Sequence, residues 1–184
     1  MKISCTVSSV SFNGVTLHCG TPLDQYRFVL GEPSRTDDLG PPAPFGHRNN
    51  QVHFYDDLGV FLAEHHLTRL IEGVGIVLDA DHAYRQPRAN FGGELVVCGV
   101  RVEQGMRPEA FLEQCAVPFR WHLGHSMVFD AAKLSIDIDT YAEKTRSGRN
   151  SRRRQISVVS IGFKNAHLLS EAKKWDTVPD DSIV

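Results

Sequence analysis

Apolar and polar positions alternate over much of this chain, and the alternation stops at glycine, proline and asparagine rather than fading out. Residues 3–19 carry β-branched and alternating apolar side chains (Val7, Val10, Phe12, Val15, Leu17) split by Asn13-Gly14. That dipeptide between such runs is the strongest short hairpin signal. Thr21 then reads as a helix N-cap, Pro22 as the first helical position, and Leu23, Tyr26 and Leu30 as one apolar face. Gly31 and Pro33 stop this short helix. Residues 34–50 hold three prolines and two glycines without periodicity and read as a long loop. Strands follow over Gln51–Tyr55 and Leu58–Ala63. Leu67–Leu78 reads as a third, because Gly73 and Gly75 disfavour a helix there.

The pattern then starts again. A hairpin over Glu94–Val102 turns near Cys98-Gly99, and a helix runs from about Pro108 to Cys115. Strands follow at Met127–Phe129, Lys133–Tyr141 and Gln155–Lys164. At a constant offset of 85 residues Gly14 meets Gly99, Leu17 meets Val102, Tyr26 meets Phe111 and Pro33 meets Pro118. Few residues are identical, but the order of strand, turn glycine, short helix and proline is shared. The later segments correspond loosely, VHFYDDLGVFLA with HSMVFDAAKLSIDI and LTRLIEGVGIVL with RRRQISVVSIGF. The expected fold is α+β: two related helix-plus-antiparallel-strand units forming a sheet, with the helices on one face. Residues 1–90 make the first unit, and 91–184 the second plus a C-terminal tail with a short helix over Leu168–Trp175. Both units belong to one compact domain.

Composition narrows the function. With 184 residues, 41% hydrophobic and 23% charged, the chain reads as a soluble globular protein. A net charge of −2 argues against nucleic-acid or membrane binding by the whole surface. The opening MKISCTVSSVSFNG does not read as a secretory signal. The four cysteines show no CxxC spacing and read as free structural thiols in a reducing cytoplasm. No GxSxG or phosphate-loop motif is present.

The helix ending in LGEPSR, the proline-rich gap, the YDDLGV strand and a further strand together resemble a known unit. It is the helix–LGxP–three-strand unit of the β-lactamase-inhibitor-protein and outer-membrane-assembly small-lipoprotein fold. The resemblance implies a concave antiparallel sheet that grips another protein. The LGEPSR and YDDLGV pair is also similar to uncharacterised bacterial domains often encoded beside secreted antibacterial toxins. It spans residues 13–78 and reaches 98–164 through the repeat, where CAVP replaces LGEP and VFDAAKL replaces YDDLGV. The implied role is a cytoplasmic immunity protein, without enzymatic activity, that occludes the active site of a toxin encoded by a neighbouring gene.

Each candidate site has a plainer reading beside it. Tyr55, Asp56 and Asp57 are either an acidic contact for a basic partner or a turn between strands. Ser135, Asp137 and Asp139 alternate against Leu134, Ile136 and Ile138, which implies a strand with one wet face open to a partner. Lys144–Arg154 holds six basic residues in eleven, including Arg146, Arg149, Arg152, Arg153 and Arg154. That cluster reads as a charged hairpin loop, as a dock for an acidic protein surface, or as an RNA or anion contact. The RNA reading gives the alternative function, a nucleic-acid or anion-binding accessory protein, although no aromatic residue is interleaved for base stacking. A hydrolase built from scattered Asp and His residues is the third hypothesis. His65-His66 on a strand point to opposite faces and cannot share one ion. Asp79, Asp81 and His82 read as a turn. His122 and His125 flank Gly124 with no third ligand evident. No cofactor and no metal are expected, and the terminal Ser-Ile-Val reads as a chance match.

Overall fold

The computed structural model describes residues 1–17, 21–38, 51–65, 68–80, 87–144 and 150–163. The first unit opens with β1 (Lys2–Cys5), then the hairpin β2 (Val10–Phe12) and β3 (Val15–Leu17), then α1 (Leu23–Leu30). Four strands follow: β4 (Arg35–Asp38), β5 (Gln51–Tyr55), β6 (Val60–Glu64) and β7 (Ile71–Val77). The same order recurs as the hairpin β8 (Glu94–Val97) and β9 (Val100–Val102), the helix α2 (Pro108–Gln114), and a second set of four strands. These are β10 (Arg120–His122), β11 (Ser126–Asp130), β12 (Leu134–Lys144) and β13 (Asn150–Phe163).

The repeat is realised at its turns. Asn13 and Gly14 have φ of 50° and 83°, and Cys98 and Gly99 have 49° and 87°. Two successive left-handed residues are what a two-residue type I′ turn needs to match strand twist. Tyr26 of α1 and Phe111 of α2 are both fully buried. Each meets a ring edge-on: Phe12 at 5.9 Å from Tyr26, and Phe119 at 5.2 Å from Phe111. Such T-shaped pairs add to the burial of the rings themselves.

The α+β expectation does not hold: the chain is mostly β, with two separate sheets. One sheet has eight antiparallel strands in the order β10-β11-β12-β13-β7-β6-β5-β4. The hairpins do not join it. They form a second, five-stranded sheet in the order β3-β2-β1-β8-β9. There β1 pairs antiparallel with β2 and parallel with β8, so the two hairpins run in opposite directions on either side of it. In the large sheet the corresponding strands β7 and β13 meet antiparallel at the centre. The two halves are thus related by an approximate two-fold axis, with β1 the strand that has no counterpart. The helices, of eight and seven residues, are too short to form a layer. Alternation locates strands but does not say which sheet each joins, and the β1–β8 pairing spans some 90 residues of chain.

Three local expectations also change. Arg35–Asp38 is a strand inside the expected loop 34–50, whose residues from 39 onward lie outside the described ones. Pro22, not Thr21, caps α1, and it does so without a side-chain hydrogen bond. Asn150–Arg154 belongs to β13 rather than to a basic loop. Register shifts at Asp139/Thr140 and Ala142/Lys144 carry the β12–β13 ladder past the main sheet as a hairpin arm. The tail helix expected over Leu168–Trp175 lies outside the described residues.

One continuous core joins both sheets and both helices. Ile3, Phe12, Leu95 and Val97 of the small sheet share it with Val60, Leu62, Ile76, Ile136, Ile138 and Ile161 of the large one. The small sheet and helices therefore cover one face of the large sheet, and residues alternating with that core set occupy its other face.

Candidate functional site

On β12, Leu134, Ile136 and Ile138 point into the core, while Ser135, Asp137 and Asp139 take the opposite face. Register fixes their neighbours. Asp137 lies between Val128 of β11 and Ser160 of β13, and Asp139 between Ser126 and Val158. Ser135 lies between Asp130 and Gly162. Small side chains flank the two carboxylates, and Arg120 and His122 of β10 follow Val128 and Ser126 in the same rows.

Both carboxyls are half-buried and hold their protons above the ordinary aspartate range. For Asp137 burial is the main cause, opposed by the Ser126 hydroxyl and by the charges of His122 and His125. For Asp139 burial leads again, the Asp137 carboxylate adds to it, and His125 opposes it. Asp137 Oδ1 is enclosed by protein yet has no hydrogen-bond partner, an uncommon state for a buried oxygen. His125 is held from the backbone. The Thr140 hydroxyl donates to the His125 carbonyl at 2.7 Å, and His125 Nδ1 donates to the Leu123 carbonyl at 3.0 Å. Of the pair's described oxygens, Asp137 Oδ1 is the buried one left without a donor. Among the described residues no three His, Cys, Asp or Glu side chains are placed to hold a metal ion.

The other expected contact residues are not gathered here. Tyr55 is in the core, where burial pushes its phenol up to about 12, with Arg27 lowering it and Glu32 raising it. Asp56 is buried as a staple. It pairs with Arg35 Nε at 3.1 Å, accepts the Arg88 backbone N–H at 3.0 Å, and its own N–H donates to Ser34 Oγ. Asp57 is exposed in the adjoining turn. Arg153 is exposed on β13, whereas Arg154 reaches back to the Thr140 hydroxyl at 3.3 Å. Arg152 is on the same strand, and Arg146 and Arg149 lie outside the described residues. His65 is buried and accepts the Thr68 N–H at its Nδ1. His66, Asp81, His82 and Cys19 lie outside the described residues.

Residues 2–110 match the family model described as a domain of unknown function, DUF7738. The chain belongs to that family. No curated protein and no solved structure matches it. The DUF7738 stretch runs from β1 through the whole first set of strands and the second hairpin to the start of α2. It therefore contains all five strands of the small sheet, while β10 to β13 and the Asp137 face lie beyond it. Among the described residues no helix is long and apolar enough to cross a membrane.

Within the DUF7738 stretch sits a polar network that the alternation does not reveal. His53 and Glu64, 3% and 2% exposed, bond Nε2 to Oε2 at 3.0 Å. Thr36 Oγ1 meets His53 Nδ1 at 2.9 Å, Arg69 Nε meets Glu64 Oε1 at 2.7 Å, and Arg69 also donates to Gln51. The chain ties edge strand β4 to β5 and β6, with Glu64 Oε1 held by its ion pair to Arg69 and not by a hydrogen bond. Its only signal in the sequence is a histidine and a glutamate at positions of apolar strands where the alternation asks for core residues.

Proposed function

We propose that the protein acts by binding another protein, as an immunity protein that neutralises a cognate secreted bacterial toxin by occluding its active site. The observation that carries this reading is the Asp137–Asp139 pair, with a buried oxygen that lacks a donor on a sheet face lined by small side chains. A lysine, an arginine or a backbone N–H of a partner pairs with the exposed parts of the two half-buried carboxyls, and partial burial makes that contact stronger than it would be in water. The layout supports the reading too. A large antiparallel sheet braced from behind by a second sheet is a rigid platform, and preorganisation limits the entropic cost of association. The resemblance of the LGEPSR and YDDLGV segments to toxin-associated domains points to the class of partner. Co-expression with the product of the neighbouring toxin gene, followed by purification through high-salt washes, tests the reading. A stoichiometric, salt-resistant complex is expected. Recovery of nucleic acid that washes away with salt would instead favour the basic arm as the working surface.

A further inference from the structure

The two ends of the large sheet are equivalent by the approximate two-fold axis, yet they are built differently. At one end β4 carries Asp37 and Asp38. At the other, β10 pairs with β11 in regular register, contains neither proline nor bulge, and has all three residues exposed. Its outer edge faces no other strand among the described residues. Charged residues, prolines, bulges and short length are the usual means of protecting such an edge. Strand β10 is short and carries Arg120 but has neither proline nor bulge.

What β10 presents is apolar on one side and basic on the other. Trp121 is 48% exposed and the following Leu123 is 76% exposed. Leu123 also occupies the first position of the β10–β11 turn with φ of 50°, a conformation that asparagine or glycine adopts far more readily. A local rule is broken here with no gain in burial, which is a mark of a working surface. Arg120 and His122 alternate with Trp121 on the face that carries Asp137, and with Val128 and Asp130 they line a hollow of about 320 Å³ beside the strand. Arg120 makes no salt bridge with another described residue. Just before the strand, Phe119 packs against Phe111 and Phe129, which fixes where the edge lies.

We propose that β10 is a docking strand for an extended acidic segment of a partner protein, which adds to the large sheet as a ninth strand. Backbone hydrogen bonds to the free edge supply the pairing. Acidic side chains at alternate positions meet Arg120 and His122, and the apolar ones between them cover Trp121 and Leu123. Charge complementarity selects this occupant over a second copy paired through the same edge. A two-fold pairing centred on Trp121 would set Arg120 opposite His122, leaving the guanidinium without an anion.

The proposal rests on the reading of the protein as one that binds another protein. Selection of a random twelve-residue peptide library on the full chain tests it, with backbone amide shifts mapped for the selected peptides. The expected result is enrichment of alternating acidic and apolar peptides that shift the β10 amides and bind at least tenfold more weakly to Trp121→Thr. The paired charge reversal Arg120→Glu with His122→Glu should turn the selection towards basic peptides. Peptides without acidic bias, peptides that shift residues elsewhere, or no enrichment would each overturn the docking strand. Protection against the toxin is a separate readout, so failure of the strand and failure of the immunity reading are distinguishable.

Discussion

At the scale of single residues, Asp137 is a cost to the fold and, in the proposed function, a contact for the partner. Its carboxyl keeps its proton to higher pH in the folded chain than in the unfolded one. As pH rises past the ordinary value of 3.8, the unfolded chain loses that proton first. Stability therefore falls from there until the raised folded value is passed, and stays lower above it. Below 3.8 both states are protonated and the effect vanishes. Asp137→Asn should then unfold at a higher temperature than the wild type at pH 7 and at the same temperature near pH 3, as thermal melts at the two pH values would reveal. The same change should weaken partner binding by roughly tenfold to a hundredfold, the range for losing a charged hydrogen bond. His53 behaves in the opposite way. His53→Ala leaves Glu64 buried with one partner fewer and opens a cavity beside Leu62. A loss of about 3 kcal/mol is expected in urea titrations, whereas a loss under 1 kcal/mol would mean that the network is dispensable. Alternation made Asp137 and Asp139 legible as outward residues, but nothing in the sequence distinguished Asp56, which pairs with Arg35 some 20 residues earlier, from the exposed Asp57.

At the scale of elements, the hairpins were legible because Asn13-Gly14 and Cys98-Gly99 fix their own geometry over four or five residues. The helices were legible from Pro22, Pro108 and the apolar face of Leu23, Tyr26 and Leu30. What the chain hides is pairing at a distance. β4 and β10 are short, polar and at the edges, so no core face marks them in the sequence. β1 finds its parallel partner in the other half, and the arm of β12 and β13 is held by backbone pairing in spite of its charge. The turn between β10 and β11 is the place where the local rule fails most openly. Leu123→Asn should relieve the strained turn and stabilise the protein by about 0.5–1 kcal/mol, measured by chemical denaturation. If Leu123 works at a docking edge, the same variant should bind its partner less well; equal binding would make the strain incidental.

For the whole molecule, the repeat accounts for the layout and the shared core for its unity. Residues 1–90 contain one side of both central junctions, β7 without β13 and β1 without β8. Expressed alone they should fail to give a cooperative transition. The full chain should unfold once, with tryptophan fluorescence and far-UV circular dichroism tracing coincident curves. Two separated transitions would mean that the halves are independent. The unity matters for function because a face assembled from both halves stays rigid only while they remain joined. The most direct measurement is survival of cells that express the toxin proposed as the target together with wild-type protein or the Asp137→Asn, Asp139→Asn variant. Wild type should protect, and the variant should lose protection while melting no lower than wild type. Full protection by the variant would remove the Asp137 face from the contact, and no protection by wild type would contradict the immunity reading itself.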